Sequence, residues 1–242
     1  MTILFYPEPL KSKPLSRMYT MCHQFGIKYH NDPNEPYDVH MFWSYMKHSI
    51  TPDEITLGDS KCINQGCWDI SKEKVSRIFN DISIDPTKHV GYCVEKLDRQ
   101  GSHYGHNLIM CPADPRPGYV YQKFISDVED GLFVKYGIYY HNTISLIVKS
   151  WKPVIFKSNY VKHEIIDKRL FFSPEREVDF NEKCKEFGVD YACIEFLNDN
   201  GTPVIIDVNN VMGGGHVPAL TGSAIEQEIH DEFYLFINNR AV

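Results

Sequence analysis

Residues 186–215 read EFGVDYACIEFLNDNGTPVIIDVNNVMGGG, and acidic side chains recur there inside two otherwise apolar segments. The segments are typical of strands, and NDNG at residues 198–201 predicts a hairpin turn between them. Such a hairpin places Glu195 close to Asp207 and Asn209. Two carboxylates and an amide oxygen suit Mg²⁺, and like charges so close repel unless a cation lies between them. Acidic residues on a solvated hairpin face are an equally consistent alternative.

Strict alternation of side chains predicts which residues of this hairpin share a face. In the first strand, the two sets are Ala192, Ile194 and Phe196 on one face and Cys193, Glu195 and Leu197 on the other. In the second strand, they are Val204, Ile206 and Val208 on one face and Ile205, Asp207 and Asn209 on the other.

The composition is that of a globular protein: 43% of the 242 residues are apolar and 24% are charged. A net charge of -7 argues weakly against binding to nucleic acid or to an anionic membrane. The start, MTILFYPEPL, lacks the features of a signal peptide, and no stretch is long enough for a membrane span. Seven scattered cysteines predict reduced thiols and a cytoplasmic protein, and Cys62 and Cys67 are too isolated for a zinc site.

Short apolar runs alternate with helix-like stretches, which predicts the α/β class and a small parallel sheet over about residues 1–65. A helix over 71–82 would have Ser71 as its N-cap. After DPTK at 85–88 the sequence becomes rich in strands. The strands predicted along the chain include 2–6, 27–30, 39–43, 61–64, 89–97, 106–111 and 119–125, with further helices at 15–26, 180–188 and 225–239.

The segments VDYACIEFL, NDNG, DVN and MGGG resemble the carboxy-terminal half of the ATP-grasp fold, closest to its glutamate-ligase branch. The resemblance implies ATP as nucleotide and Glu195, Asp207 and Asn209 as ligands of Mg²⁺, with Mn²⁺ as a possible substitute. GGGH replaces the family's usual Pro-Gly, and His216 is a possible substrate contact.

The same resemblance implies a division of the chain into a shortened amino-terminal α/β unit and two lobes that clamp the nucleotide. The predicted boundaries are 1–84 for the amino-terminal unit and 85–242 for the ATP-grasp domain, with a small lobe at 85–126 and a large lobe at 127–242.

The small lobe would supply most nucleotide contacts. VEKLDRQGSHYGHNLIM (94–110) resembles the family's phosphate-binding strand and glycine-rich flap, which implies Lys96 as a phosphate ligand and catalytic residue. The flap residues would be Gly101, Ser102, His103, Tyr104 and Gly105. VYQKFIS resembles the hinge that holds adenine, which implies contacts from Gln122, Lys123, Phe124 and Ile125, although the family often has an acidic residue in place of Lys123.

Further lysines compete for two roles. Lys72 and Lys74 are candidates for the family's α-phosphate lysine, and Lys74 is preferred. The arginine of the large lobe is missing near Leu132, and a lysine could replace it in catalysis. Lys149 and Lys152 are preferred over Lys135 and Lys157 for this role.

The resemblance implies an ATP-dependent ligase that joins a small-molecule or peptide carboxylate to an amine through an acyl-phosphate. Homodimers are common in the family, and the sequence leaves the oligomeric state open. Two alternatives remain open from the sequence. One is a kinase that phosphorylates a hydroxyl group, and the other is a non-catalytic nucleotide-binding module.

Overall fold

The computed structural model of the protein describes residues 1–8, 10, 17–44, 62–79, 82–98, 106–156, 159–210 and 223–241. These residues form an α/β molecule with three sheets. All seven cysteines are free thiols, and six of them are buried. None of the helices in the described part of the chain is long and apolar enough to cross a membrane.

The amino-terminal sheet is parallel and has the strand order β2-β1-β3-β4. Helix α1 precedes β2 and ends before Gly26, whose φ of +62° lies in the left-handed region that favours glycine. The described strands thus form the parallel sheet that the sequence predicts here. The elements are β1 Thr2–Pro7, α1 Arg17–Gln24, β2 Lys28–His30, β3 Val39–Trp43 and β4 Cys62–Ile63.

Helix α2, Lys72–Phe79, begins after Ser71, whose Oγ accepts a hydrogen bond from the backbone N–H of Lys74. Ser71 is therefore an N-cap, as predicted. The apolar side of α2, with Val75 and Phe79, belongs to the core of the large sheet described below. The division of the chain at residues 84 and 85 stays a prediction.

The second sheet is antiparallel, with the order β6-β5-β7. It corresponds to the strands predicted for the small lobe, and β5 carries Lys96 at its carboxyl end. The strands are β5 Gly91–Leu97, β6 Asn107–Cys111 and β7 Tyr119–Lys123.

The large sheet is antiparallel and has the order β11-β10-β9-β12-β13, with the short β8 paired to β9. Its strands are β8 Val128–Glu129, β9 Leu132–His141, β10 Ile144–Lys152, β11 Lys162–Ile166, β12 Tyr191–Asp199 and β13 Thr202–Asn209. A 3₁₀ helix covers Lys168–Leu170, and the remaining helices are α3 Pro174–Phe187 and α4 Ala224–Arg240.

The two faces of the large sheet have different partners. One face packs on α2 and α3, where Ile138 and Ile194 of the sheet meet Phe187 of α3. The opposite face meets the amino-terminal sheet and α4 at one end, where Tyr191 lies against Phe233. The rest of this second face carries Lys135, Lys152 and Glu195, because these residues alternate with buried core residues along their strands. We call it the site face.

A β-bulge changes the faces predicted for the second strand of the hairpin. The register shifts between Glu195 and Phe196, so that Phe196 pairs with Ile205. Ile205 and Val208 therefore both belong to the core under the sheet. Val204 and Ile206 instead belong to a separate cluster with Leu197. The prediction from strict alternation was therefore wrong for Val204, Ile205 and Ile206, because a bulge inserts one unpaired residue into the strand.

Asn64 connects the amino-terminal sheet to the start of β12. Its backbone N–H donates to Asp190 Oδ2 (2.8 Å), and its Nδ2 donates to the carbonyl of Tyr191 (2.8 Å). Its Oδ1 accepts from the backbone N–H groups of Asp190 and Tyr191, both at 2.9 Å. This single buried side chain fixes the position of β12, the strand that carries Glu195.

Candidate active site

The β12–β13 hairpin brings the predicted metal ligands together. Glu195 is the direct cross-strand neighbour of Asp207, and Cys193 is that of Asn209. Side chains that are directly opposite in an antiparallel pair have Cβ atoms ~5 Å apart. Glu195, Asp207 and Asn209 are all partly exposed. The three oxygen donors therefore lie within reach of one cation at an accessible surface.

Lys135 of β9 forms an ion pair with Glu195. The distance from Lys135 Nζ to Glu195 Oε1 is 2.6 Å, and the two side chains are 17% and 24% exposed. Burial disfavours the charged form of Glu195, but Lys135 outweighs it with help from Lys152 and Lys96, so that the pKa of Glu195 is lowered. Glu195 is therefore held as a carboxylate.

Asp207 has the opposite electrostatic balance. Burial and the neighbouring Glu195 raise its pKa, and Lys72 and Lys96 oppose this shift. Among the described residues, its carboxylate accepts a hydrogen bond only from the backbone N–H of Val208, at 3.1 Å. Asp207 thus keeps lone pairs available and would be stabilised by an additional cation.

These donors fit a hard divalent cation. The described residues contain no cluster of three or more His, Cys, Asp or Glu side chains that could hold a metal ion. The set here consists of two carboxylates and one amide, which is the oxygen chemistry that Mg²⁺ prefers. Since Mg²⁺ usually keeps waters and binds substrate phosphates, a partial protein ligand set suits it.

Lys96 brings the β6-β5-β7 sheet to this cluster. It is 8% exposed, and burial lowers its pKa to about 8, an effect that Asp207 and Glu195 oppose and Lys72 adds to. The predicted phosphate lysine therefore lies close to the predicted metal ligands, although the two belong to different sheets.

Glu95, the neighbour of Lys96, connects the three strands of this sheet. Its carboxylate is 3% exposed and accepts hydrogen bonds from Asn107 Nδ2 (2.9 Å), Arg116 Nη1 (2.8 Å) and Tyr121 Oη (3.0 Å). These partners come from β6, from β7 and from the segment between them. Because neighbouring residues of a strand point to opposite faces, this network holds β5 while Lys96 points toward the hairpin.

The structure brings Lys72, not Lys74, to the cluster. Lys72 is 5% exposed, and its charge acts on both Lys96 and Asp207. Lys74 Nζ instead donates to the carbonyl of Phe187 (2.9 Å) and lies 4.3 Å from the centre of its ring. The first turn of α2 thus directs Lys74 to α3, which favours Lys72 for the nucleotide, and the choice of the α-phosphate lysine stays a prediction.

Lys152 and Lys149 lie on opposite faces of β10. Lys152 is 8% exposed on the site face, and burial, with a smaller contribution from Lys135, lowers its pKa to about 8. Lys149 forms an ion pair with Glu129 on the other face, at 2.5 Å. The two preferred lysines therefore lie on opposite faces, because residues three apart in a strand cannot share a face. Lys152 and Lys135 are the candidates on the site face, and the catalytic role of each lysine stays a prediction.

The hinge candidates are the last two residues of β7, Gln122 and Lys123, and the two residues that follow it, Phe124 and Ile125. Ile125 packs with Ile82 and Ile206 in a small apolar cluster, which offers a surface for a planar base. Gln122 is 2% exposed, and its Nε2 has no hydrogen-bond partner within the described ranges. Phe124 is half-buried. Lys123 is exposed and pairs with Asp199 at 2.8 Å, so that its side chain points to the hairpin turn.

Several predicted contacts lie outside the described residues, and their roles stay predictions. They are Gly101, Ser102, His103, Tyr104 and Gly105 of the flap, together with Lys157, the glycines of MGGG and His216.

Two neighbours of the cluster were not predicted as site residues. Tyr160 lies 5.2 Å from Lys135 Nζ and 5.6 Å from Lys152 Nζ, measured to its ring centre. Arg17 donates to the hydroxyl of Tyr139, on the same face. Neither belongs to a short motif, and both reach the face through tertiary packing, so the sequence offered no signal for them.

No protein-family model and no curated protein sequence matches this chain, but solved structures do. The ATP-grasp ligase PsnB, complexed with a minimal precursor, has a TM-score of 0.58 at 10% identity, over 97% of this chain and 98% of that chain. D-alanine–D-alanine ligase from Bacillus anthracis has a TM-score of 0.52 at 12% identity, over 99% of this chain and 96% of that chain. D-cycloserine synthetase DcsG has a TM-score of 0.55 at 10% identity, over 100% of this chain and 99% of that chain.

Two further structures of these proteins contain nucleotide. PsnB complexed with precursor, Mg and ADP has a TM-score of 0.58 at 9% identity, over 100% of this chain and 97% of that chain. The Bacillus anthracis ligase complexed with ATP has a TM-score of 0.52 at 13% identity, over 99% of this chain and 97% of that chain. At these low identities the similarity is one of fold, and it extends over the full length of both partners.

Proposed function

This chain has the ATP-grasp fold, and from that premise we propose that it is an ATP- and Mg²⁺-dependent ligase. It activates a substrate carboxylate as an acyl-phosphate, which an amine then attacks to give an amide, ADP and phosphate. The observation that carries this proposal is the pairing of Glu195 with Asp207 across the hairpin, beside the buried Lys96 of another sheet. A scaffold without ligand would gain nothing from such a costly group of charges.

The residues divide into a phosphate side and an acceptor side. Lys96 and Lys72 provide the positive charge that holds the phosphates, while Glu195, Asp207 and Asn209 would hold Mg²⁺. The bound Mg²⁺ would neutralise charge that develops on the transferred phosphoryl group. Lys72 lies in α2 and Lys96 in β5, both outside the large sheet that carries Glu195 and Asp207. Phosphate ligands and metal ligands on separate elements allow the two sides to close around the nucleotide.

The acceptor side favours a carboxylate over a neutral hydroxyl. Lys152 is buried on the site face and has no carboxylate of its own within ion-pair distance among the described residues, and Lys135 lies beside it. A substrate carboxylate placed there offsets the cost of burying the Lys152 ammonium. Its oxygen attacks the γ-phosphate, ADP leaves, and the amine displaces phosphate from the acyl-phosphate.

We expect Asp207→Asn and Asn209→Ala to fold normally and to lose Mg²⁺-dependent ADP formation by a factor on the order of 100 or more, because transition-state charge is no longer stabilised. The measurement is ADP release with a panel of carboxylates and amines. Circular dichroism checks the fold.

Asp199→Asn is the matched control, since it makes the same change on the same hairpin, near the turn, where Asp199 pairs with Lys123. It should retain activity. Product analysis separates the alternatives: an amide supports the ligase, and a phosphoester would instead show a kinase. Unchanged ADP formation in both site variants would refute the metal assignment.

A further inference from the structure

Asp98 follows the last residue of β5 and links the sheet of Lys96 to helix α2. Its Oδ1 accepts a hydrogen bond from the backbone N–H of Lys72, the first residue of α2, at 3.0 Å. The backbone N–H of Asp98 donates to the carbonyl of Gly118 at 3.0 Å, just before β7 begins. The backbone of Asp98 is therefore fixed to the β6-β5-β7 sheet, while its side chain reaches the start of α2.

This link brings the chain positions of Lys72 and Lys96 close together. Lys96 precedes Asp98 by two residues, or ~7 Å along an extended chain, and Lys72 supplies the N–H that Asp98 binds. Helix α2 also lies against β13, the strand that carries Asp207. The two lysines proposed to hold the phosphates thus approach the hairpin carboxylates from two elements that Asp98 joins.

The arrangement concentrates positive charge in a buried place. The side chains of Lys72 and Lys96 are both buried, and no carboxylate in the described part of the chain forms an ion pair with either of them. Like charges held close together repel, and burial without a partner adds to the cost. Contacts that hold the two lysines in place are therefore required, and an anion that binds between them would be stabilised.

The start of α2 has local partners besides Asp98. Ser71 caps the helix by accepting a hydrogen bond from the backbone N–H of Lys74, and Asp69 Oδ1 accepts one from the backbone N–H of Ser71 at 2.8 Å. Both contacts lie within a few residues of sequence, whereas Asp98 comes from another sheet. What the Asp98 contact adds is the connection between the two elements that carry Lys72 and Lys96.

We propose that Asp98 is a positioning residue for nucleotide binding. It holds α2 against the end of β5, so that the ammonium groups of Lys72 and Lys96 converge on the same phosphates. The inference rests on the proposed function, because it assigns a role within that nucleotide site.

This role predicts an effect opposite in sign to that of the charge of Asp98. A carboxylate near bound phosphates repels them, so by charge alone its removal would strengthen nucleotide binding. A residue that positions Lys72 should instead weaken binding when it is removed. The sign of the change therefore distinguishes the two.

The test measures the Kd of a non-hydrolysable ATP analogue with Mg²⁺ by titration calorimetry on the full chain. Asp98→Ala should weaken binding about tenfold, because Lys72 no longer lies in place for its charged hydrogen bond to phosphate. Asp98→Asn should bind at least as tightly as the unmodified protein. Its amide oxygen can still accept from the N–H of Lys72, and one negative charge is lost.

A double-mutant cycle with Lys72→Met separates positioning from a general loss of structure. In the Lys72→Met background, Asp98→Ala should change the Kd by less than about twofold, because no ammonium remains there to be misplaced. Asp69→Ala is the matched control, since it removes a carboxylate acceptor at the start of the same helix but no link to β5. It should retain the affinity of the unmodified protein.

Thermal unfolding checks that each variant folds, and Asp98→Ser takes the place of Asp98→Ala if the latter does not. Undiminished binding in Asp98→Ala, equal weakening in Asp98→Asn, or independent effects of Asp98→Ala and Lys72→Met would each overturn the role of Asp98. The ligase proposal would then stand. If the unmodified protein does not bind the analogue, both fall.

Discussion

At the scale of single residues, Lys96 has the most informative environment. It is buried, and the negative charge close to it comes from Asp207 and Glu195 of a different sheet. Bound phosphates would add negative charge to a site that burial makes unfavourable for an ammonium group. The charge of Lys96 should therefore matter for nucleotide affinity more than that of an exposed lysine.

We expect Lys96→Met to raise the KM for ATP by about 10- to 100-fold, because it removes a charged hydrogen bond to phosphate. The contact exists in the ground state and in the transition state, so kcat should change less. Steady-state kinetics measures both. Lys88→Met is the control from the same predicted lobe, because Lys88 is exposed and pairs with Asp85 outside the candidate site. An equal rise in its KM would contradict the assigned role of Lys96.

The lowered pKa of Lys96 predicts a pH dependence of nucleotide binding. With a pKa of about 8, the ammonium is mostly charged at pH 7 and is lost as the pH rises above 8. Phosphate binding favours the charged form, so affinity should be constant below pH 8 and should fall above it. Titrations of the nucleotide between about pH 6.5 and about pH 9.5 test this. The range spans the lowered pKa of Lys96 and ends below the ordinary lysine pKa of about 10.4.

Lys96→Met is the comparison for this pH dependence, because the nucleotide affinity of this variant should no longer fall above pH 8. Lys152 has a similar pKa of about 8 but lies on the acceptor side, so Lys152→Met should keep the pH dependence. A pH dependence that persists without Lys96 would assign the titration to another group.

Single residues also show where the sequence was insufficient. The segments that contain the site lysines could be predicted from the family resemblance, but the choice within each segment could not. Lys72 and Lys74 differ by two helix positions, and only contacts with α3 decide between them. For Lys149 and Lys152, strand alternation allows only one on the site face, and the position of the core beneath β10 determines which one.

At the scale of elements, the β12–β13 hairpin was the most predictable part of the site. Its two loop residues, Asn200 and Gly201, have φ values of +53° and +85°, as the Asn-Gly of a tight hairpin turn requires. The register of the turn alone would place Glu195 opposite Ile206, and the bulge between Glu195 and Phe196 places it opposite Asp207 instead. The bulge beside Glu195 was not predictable, since bulges depend on packing above and below the sheet.

The close contact between Gly66 and Gly188 gives a prediction at this scale. Gly188 ends α3 with φ +83°, and a Cβ atom there would lie 2.5 Å from the carbonyl group of Gly66. Gly188→Ala should therefore suffer both backbone strain and a clash, and lose about 2 kcal/mol or more of unfolding free energy. Urea denaturation measures the loss.

Gly26→Ala is the matched control, because Gly26 also follows a helix at positive φ but has no atom near its missing Cβ. It should lose only the strain part, about 1 kcal/mol. Equal losses in the two variants would show that the backbones of Gly66 and Gly188 are not in contact.

At the scale of the whole molecule, three sheets supply different parts of one site. The α/β class and most strands follow from apolar periodicity and turn residues, and the ATP-grasp architecture follows from the resemblance at residues 186–215. How α1 and its Arg17 meet the large sheet did not follow, because packing between distant segments leaves no local pattern. The packing of α1 on the large sheet was therefore a part that required the structure.

The Mg²⁺ dependence of ATP binding tests the paired carboxylates of the hairpin most directly, and it is measured by thermal unfolding of the unmodified protein and of Asp207→Asn. We predict that ATP at ~100 times its Kd stabilises the unmodified protein by about 2.7 kcal/mol only when Mg²⁺ is present. The Asp207→Asn variant should lose this Mg²⁺-dependent stabilisation. Equal stabilisation with and without Mg²⁺, or in both proteins, would contradict the account.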